Sequence, residues 1–178
     1  APDKTTLTEP LPQSLTITLA NLVYFDKSQL TQPLTNRLIR LAAFQNPEFY
    51  RAQAMRLSVW DKPRVIGCAE NFPQHIGLPR GCLDAAQELL RSNRIRCDIH
   101  DEQRDGTPVD VEFAGTLRPD QEDAVAAMLH HDVGVLCALT AFGKTVTGAA
   151  IIARRRVNTL ILVHRTELLR QWHPLRHT

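Results

Sequence analysis

The stretch ALTAFGKT, residues 138–145, decides how the second half of this chain is interpreted. It follows an apolar run from Val133 to Cys137 and precedes a run of small residues, Val146 to Ala153, that suits a helix. A buried strand, a tight loop and a helix in this order form the setting that a phosphate-binding loop requires. The alternative is a chance Gly-Lys-Thr at the start of a helix. The flanks on both sides favour a nucleotide site.

The residue types in this loop suit the binding of a nucleotide. Gly143 lets the backbone curl so that its N–H groups face an anion, and the helix that follows adds a favourable dipole. Lys144 would reach the β- and γ-phosphates, and the hydroxyl of Thr145 would be a Mg²⁺ ligand. Ala138 stands where the common pattern has its first glycine. The predicted nucleotide-binding residues of the loop are Ala138, Leu139, Thr140, Ala141, Phe142, Gly143, Lys144 and Thr145, of which Lys144 and Thr145 are also the predicted catalytic residues.

Two flanking stretches indicate which kind of nucleotide site this is. LRPDQ lies upstream at residues 117–121, and TLILVHRTELLRQW lies downstream at residues 159–172. Together with the loop they resemble the first motifs of superfamily 2 helicases, closest to the XPB-like group of DEAD/DEAH-box DNA helicases. The resemblance covers roughly residues 111–173. The segment before it resembles the small N-terminal DNA-binding domain that such helicases carry.

The resemblance implies functions for residues in both flanks. Gln121, with Arg118 in the same LRPDQ stretch, would read the adenine of ATP, because a carboxamide matches the neighbouring donor and acceptor of that base. Arg165 would contact the phosphates of a bound DNA strand, as suits a guanidinium group beyond the end of a parallel strand. An ordinary surface glutamine and an ordinary surface arginine are the alternatives. Trp172 could stack on a base, but at the end of an apolar helix we expect it to pack in the core.

One motif that the resemblance implies is absent from the sequence. Helicases of this kind use an Asp-Glu pair to position Mg²⁺ and the attacking water, but the only acidic residue after Thr145 is Glu167, inside the downstream stretch. The second RecA-like domain, whose arginine fingers are worth roughly a thousandfold or more in rate, is also missing. We therefore expect the chain to be the N-terminal fragment of an ATP-dependent DNA helicase. Such a fragment would bind ATP without hydrolysing it.

The composition is that of a globular protein. The 178 residues, 43% of them hydrophobic, suit one or two domains. No apolar run approaches the roughly 18 residues of a membrane span, and the N-terminus lacks a signal-peptide pattern. The four cysteines, Cys68, Cys82, Cys97 and Cys137, stand singly among apolar neighbours, so we expect buried free thiols rather than disulfides or a zinc site. They indicate a reducing compartment, the cytoplasm.

Hydrophobic periodicity predicts an α/β chain with two domains. We interpret residues 1–13 as a flexible leader, 14–100 as a small mixed α/β domain, 101–108 as a linker and 109–178 as the first part of a RecA-like domain with a parallel sheet. The second domain has only two predicted strands, starting at Val133 and Thr159. Apolar surface and strand edges would therefore be left unpaired. We expect that domain to be completed by packing onto the first domain, the remainder of a helicase or another chain, or to be the less stable of the two.

The charges are unevenly distributed, although the net charge is only +2. Residues 36–97 carry ten Lys or Arg against five Asp or Glu, and residues 124–178 carry seven against two. Residues 98–123, between these basic blocks, carry two against nine. Two basic blocks suit a polyanion such as DNA, and an ordinary solvated surface is the alternative.

The predicted DNA-binding residues of the first domain lie in two places. Arg51 and Arg56 lie on a helix that begins at Asn46 and runs to about Leu57. Arg80 lies in a loop over residues 72–81 that also holds His75. Aromatic residues beside these arginines suit base stacking combined with phosphate contacts. The alternative is that the aromatic residues belong to the core and the arginines are merely solvated.

Three classes of function fit the sequence. The first is an ATP-dependent DNA helicase or translocase with DNA as its partner and ATP and Mg²⁺ as cofactors. The second is a non-enzymatic DNA-binding or protein-interaction module with a vestigial phosphate-binding loop. The third is another nucleotide hydrolase or a small kinase, against which the stretches around Gln121 and Arg165 argue.

Overall fold

The computed structural model of this protein describes residues 10–172. Residues 1–9, in the predicted leader, and residues 173–178 lie outside the described part. The chain divides into two compact units, with the division between Gln103 and Arg104. We call the part up to Gln103 the first unit and the part from Arg104 the second unit.

The first unit combines a mixed sheet with three α-helices, which confirms the predicted α/β class. Its elements are β1 (Ser14–Leu19), β2 (Val23–Asp26), α1 (Gln32–Leu41), β3 (Ala43–Gln45), α2 (Pro47–Ala54), β4 (Val65–Gly67), β5 (Glu70–Asn71), β6 (His75–Leu78), α3 (Leu83–Ser92) and β7 (Arg96–Asp101). The five-stranded sheet has the order β5-β6-β2-β1-β7. Only the β1–β7 pair is parallel within it, and β3 and β4 form a separate antiparallel ribbon.

Alternation along β1 sets the face of the main sheet that is buried. Leu15, Ile17 and Leu19 are buried, while Ser14 and Thr16, which alternate with them, are exposed. The amphipathic helices α1 and α3 add further side chains to the same core. The buried apolar core of this unit consists of Leu15, Ile17, Leu19, Val23, Phe25, Leu34, Leu38, Ala42, Ile76, Leu78, Ala86, Leu90 and Ile95.

Helix α2 begins where the sequence predicts and ends earlier. The side chain of Asn46 accepts a hydrogen bond from the Glu48 N–H and so caps the first turn. At the other end Leu57 N–H donates to the Ala52 carbonyl, and Arg56 takes a left-handed conformation with φ of 53°. This reversal stops the helix at Ala54, so the prediction that it reaches about Leu57 is wrong. Arg56 therefore lies beyond the helix.

The predicted loop over residues 72–81 contains a strand of the main sheet. β6 lies between β5 and β2, and its Ile76, Gly77 and Leu78 are buried. A Cβ on Gly77 would lie 2.7 Å from Cδ1 of Leu22, so glycine allows the close approach at this position. The flanking prolines and glycines suggested a loop in the sequence, but pairing with two neighbouring strands decides the conformation.

The second unit is helical in its described part. It contains α4 (Pro119–Leu129), α5 (Lys144–Arg155) and α6 (Thr166–Trp172). Between residues 104 and 172 the only β pairing is an isolated bridge joining Pro108 and Val157. The strands predicted after Val133 and Thr159, and with them the parallel sheet of this unit, are therefore not formed in the described residues.

Missing partners explain why these two apolar segments are not strands. A strand satisfies its backbone groups only through neighbouring strands, and a parallel strand also needs cover on both faces. Val135, Leu160 and Leu162 are each more than four-fifths exposed. Among the described residues of this unit, only Val125 and Ala150 are buried apolar side chains. The unit thus has the helices expected of it but little core.

The cysteines are unpaired, as predicted, but only two of them are sheltered. Cys82 and Cys97 are half-buried, and burial raises the pKa of both thiols. Cys68 and Cys137 are exposed, so the prediction that all four are buried is wrong. Cys137 lies in a segment whose covering strands are not formed. Between residues 10 and 172 no helix is long and apolar enough to cross a membrane.

Candidate functional site

The loop over residues 138–145 makes its tightest turn at Gly143. Gly143 has a φ of +89° and Ala141 has a φ of +66°. Both residues therefore adopt a left-handed backbone conformation, which L-residues rarely adopt. A Cβ on Gly143 would lie 2.5 Å from Nε2 of Gln121. Backbone conformation and available space therefore both favour glycine at this position.

Helix α5 begins directly at Lys144 and offers an uncapped N-terminus. No side chain caps its first turn, because the residue in the capping position is Gly143 itself. The N–H and the hydroxyl of Thr147, which is fully buried, both donate to the Gly143 carbonyl, at 3.0 and 3.2 Å. The backbone N–H groups of the first turn have no partners within the helix, and the helix dipole favours an anion there. This geometry suits phosphate oxygens.

Lys144 and Thr145 are the first two residues of α5. The Lys144 side chain is exposed and folds back over the loop, where its Nζ donates to the Leu139 carbonyl at 2.8 Å. An ammonium group has three donors, so two remain for other acceptors. Thr145 is half-buried beside it. The structure therefore brings together the backbone turn, the cation and the hydroxyl that the sequence predicts.

The two predicted adenine-reading residues contact the loop. Nε2 of Gln121 and Nη2 of Arg118 each donate to the Phe142 carbonyl, both at 2.7 Å. The Arg118 guanidinium also lies 5.8 Å from the centre of the Phe142 ring, within the range of a cation–π contact. Gln121 is buried, and its Oε1 accepts from the Arg118 N–H at the start of α4. The start of α4 is thus joined to the loop over residues 138–145 by direct hydrogen bonds.

The downstream stretch is placed differently from its prediction. Leu160 and Leu162 are exposed, and Arg165 lies directly before α6, its side chain exposed and its carbonyl accepting from the Leu169 N–H. No parallel strand end positions Arg165. Trp172 is half-buried and packs on α5, where a Cβ on Gly148 would lie 2.8 Å from its ring. Trp172 therefore packs against a neighbouring helix but is not one of the buried core residues.

The predicted DNA-binding residues of the first unit differ in how freely their side chains are presented. Arg51 lies on α2 and Arg56 just beyond it, and both are exposed. Neither forms an ion pair among residues 10–172. Arg80 is half-buried in a 3₁₀ turn, and its guanidinium donates to the Gln103 side chain. His75 begins β6. Arg51 and Arg56 are thus the more available cations.

Sequence reasoning missed the most exposed aromatic side chain of the first unit. Trp60 lies in the connection between α2 and β4 and is 89% exposed. The signal in the sequence is a tryptophan directly followed by Asp61, Lys62 and Pro63, since a core tryptophan seldom stands in a polar turn.

Comparison with known proteins identifies part of the chain. Residues 114–176 match the family model described as "Type III restriction enzyme, res subunit". They are a helicase superfamily 2-type region. This region holds α4, the loop over residues 138–145 and α5, and the contacts among Arg118, Gln121 and Phe142 lie within it.

Two curated proteins are similar to the chain. One is "Putative helicase 109L" of Invertebrate iridescent virus 3, which is 33% identical over 90 residues, or 47% of this chain and 27% of the viral protein. The other is "DNA 3'-5' helicase XPB" of Kineococcus radiotolerans, which is 45% identical over 62 residues, or 35% of this chain and 11% of that protein. The chain thus matches about a quarter and about a tenth of the lengths of these relatives.

Proposed function

We propose that this chain is part of an ATP-dependent DNA helicase or translocase of the XPB-like group. Its second unit would bind ATP with Mg²⁺, and its first unit would bind DNA. The observation that carries the proposal is the joining of Arg118 and Gln121 to the loop through the Phe142 carbonyl, within a superfamily 2-type region. Both relatives carry helicase names, one of them XPB.

The residues of the loop fit the phosphates of a nucleotide. The backbone has positive φ at Ala141 and Gly143, the first turn of α5 has no side-chain cap, and Lys144 supplies a cation beside it. The hydroxyl of Thr145 would hold Mg²⁺, which commonly takes only one or two protein ligands along with phosphate oxygens. When bound, the ion neutralises charge that develops on the phosphates. Among residues 10–172 no cluster of three or more His, Cys, Asp or Glu suits a metal ion.

Adenine recognition is assigned to the start of α4. In the structure the Gln121 carboxamide donates one hydrogen bond to the Phe142 carbonyl and accepts one from the Arg118 N–H. A carboxamide retains a second donor and a second acceptor site, which are the two groups that an adenine edge matches. Gln121 would therefore hold the loop and read the base at once.

The experiment is a titration of a fluorescent ADP analogue with Mg²⁺. The parent chain should bind weakly and hydrolyse ATP negligibly, and Lys144→Ala should abolish the binding. Arg170→Ala is the matched control, since Arg170 is an exposed cation on α6 of the same unit. Equal binding by the Lys144 variant and the parent would contradict the nucleotide assignment. Turnover at the rates of a full motor, sensitive to Lys144→Ala, would contradict the proposed lack of hydrolysis.

A second candidate is a non-enzymatic DNA-binding module with a vestigial loop. One observation favours it, because the Lys144 ammonium and the Gln121 carboxamide both donate to carbonyl groups of the loop itself. A vestigial loop would leave the fluorescent nucleotide unbound at millimolar concentration while DNA binding persisted. The same titration therefore separates the two candidates.

A further inference from the structure

Exposed large apolar side chains of the first unit are concentrated in one segment. Residues 43–67 run from β3 through α2 to β4, and we call them the ribbon segment. Five of the six large apolar side chains that are exposed between residues 10 and 103 belong to it, and Ile99 is the exception. The five are Phe44, Met55, Leu57, Trp60 and Val65. These side chains lie outside the core and are available to a ligand.

Trp60 stands at the tip of an anchored turn. Lys62 N–H donates to the Val59 carbonyl at 3.1 Å and closes a turn in which Trp60 is the second residue. Just after the turn, buried Asn46 holds the chain with two hydrogen bonds: its backbone N–H donates to the Arg64 carbonyl at 3.0 Å, and its Nδ2 donates to the Pro63 carbonyl at 2.8 Å. The indole is thus presented to solvent on a loop that is fixed at its base.

The ribbon segment, which carries Trp60, has a net positive charge. The ribbon segment carries four basic residues, Arg51, Arg56, Lys62 and Arg64, against two acidic ones, Glu48 and Asp61. Lys62 pairs with Asp61 at 2.9 Å and offsets its charge. The Tyr50 hydroxyl accepts from Nε of Arg64 at 3.1 Å, and this bond raises the pKa of Arg64. The cations that remain available complement an anionic ligand.

The combination of an exposed indole with free arginines decides the class of ligand. An apolar protein partner would match Trp60 and Phe44 but would leave the arginines unpaired, which is costly at an interface. A double helix would match the arginines but would offer no base face to the indole. A single strand matches both, because its phosphates pair with arginine and every unstacked base has a π-face.

We propose that the ribbon segment binds the unpaired bases of a nucleic-acid strand, with Trp60 stacking on a base and Arg51 and Arg56 contacting phosphates. This proposal rests on the proposed DNA binding of the first unit and adds the form of DNA that the unit selects. Stacking of one base on an aromatic side chain changes affinity by roughly fivefold to 150-fold. Preference for single strands over duplex should therefore depend on Trp60.

The experiment uses the full chain and two probes, an oligo-dT strand and a duplex of the same length. In a Trp172→Phe background, Trp60 is the only tryptophan, and oligo-dT should quench its fluorescence. Trp60→Ala should weaken oligo-dT binding by roughly fivefold to 150-fold and change duplex binding less than about twofold. Trp60→Phe should keep most of the single-strand affinity, because a phenyl ring still stacks. Since Trp60 is almost fully exposed, these changes leave the core intact.

The outcomes separate this proposal from the broader one. Unchanged oligo-dT affinity in Trp60→Ala, with duplex binding that still depends on Arg51 and Arg56, would overturn only the stacking site. Binding of neither DNA would overturn DNA binding and the stacking site together. Quenching of Trp60 by polyglutamate but not by oligo-dT would assign the ribbon segment to an acidic protein partner instead. The stacking site would be established if oligo-dT quenched the fluorescence of Trp60 and the Trp60→Phe variant kept most of the affinity for oligo-dT.

Discussion

Nε2 of Gln121 donates to the carbonyl of Phe142 at 2.7 Å and lies 2.5 Å from the place where a side chain on Gly143 would begin. One carboxamide thus fixes the position of the loop and fills the space that makes glycine necessary. The loop and the start of α4 are therefore coupled by contact as well as by their order in the sequence. A change at either residue should be felt at the other.

Gly143→Ala should abolish nucleotide binding for two separable reasons. The new Cβ would collide with Gln121, and a non-glycine residue at φ +89° costs about 1–2 kcal/mol. Gln121→Ala removes the partner of this collision and also the proposed reader of adenine, so it should weaken binding by itself. In its presence only the backbone cost of Gly143→Ala remains, so Gly143→Ala should lower the affinity less there than in the parent. Gly81→Ala is the control, because a Cβ there meets nothing within 4 Å. Calorimetric titration with ADP measures the parent, Gly143→Ala, Gln121→Ala, the double variant and Gly81→Ala. An equal effect of Gly143→Ala with and without Gln121 would disprove the coupling.

The two units should differ in stability. The first unit buries thirteen apolar residues in one core, whereas the described part of the second buries Val125 and Ala150. Hydrogen exchange should show strong protection of backbone amides in β1 and β2 and weaker protection in α4 and α5. Equal protection of both units in a monomer would contradict this expectation.

Replacement within the first core gives an independent measure of that stability. Leu38→Ala removes a fully buried side chain of α1 and should destabilise the first unit by about 2–5 kcal/mol, as followed by urea unfolding. Ile99→Ala is the matched control, because Ile99 is an exposed residue of β7 and its loss should cost well under half as much. Similar midpoints for both variants would show that α1 does not stabilise the unit.

DNA binding should depend on Arg51 and Arg56 through the release of counterions. Replacing both with Ala should weaken duplex and single-strand binding at all sequences and flatten the dependence of log affinity on log salt by up to about 2. Ala keeps a Cβ at position 56, so the left-handed backbone there is not relieved. Electrophoretic shifts at two salt concentrations provide the measurement.

Three arginines at the end of α5 are the control for that experiment. Arg154 pairs with Glu122, Arg155 donates to the His131 carbonyl, and Arg156 pairs with Glu112 at 3.6 Å. Because these cations have partners within the second unit, their replacement should weaken DNA binding less than replacement of Arg51 and Arg56. A failure of the Arg154–Arg156 variant alongside normal binding by the Arg51/Arg56 variant would refute the assignment of DNA binding to the first unit.

Thiol labelling should follow burial. At pH 8 an aromatic disulfide reagent should modify Cys68 and Cys137 quickly and Cys82 and Cys97 slowly, since burial raises the pKa of the latter pair and lowers their thiolate fraction. A raised pKa in the folded state contributes stability below the ordinary thiol pKa of 9.0, and that contribution is lost as the pH rises through the folded value. Equally fast labelling of all four thiols in folded protein would contradict the structure.

Local patterns in the sequence were sufficient for elements that carry their own signals. The cap at Asn46 predicts the start of α2, the i, i+4, i+7 spacing of Leu34, Leu38 and Leu41 predicts α1, and alternation from Ile95 to Ile99 predicts β7. The sequence did not predict β6, because this segment becomes a strand through pairing with β2, which is distant in sequence. The strands of the second unit were expected from apolar runs, but an apolar run becomes a strand only beside another strand.

The sequence by itself determined the turn-forming loop over residues 138–145, the helix after it and the resemblance to helicase motifs, because these depend on residue types at fixed spacing. Tertiary structure alone decided that Gln121 and Arg118 meet at the Phe142 carbonyl, that β6 lies inside the sheet, and that Trp60 projects from an anchored turn. Each of these depends on contacts between residues far apart in the chain. Such contacts leave no local pattern, because the side chains involved are satisfied by partners that only folding brings near.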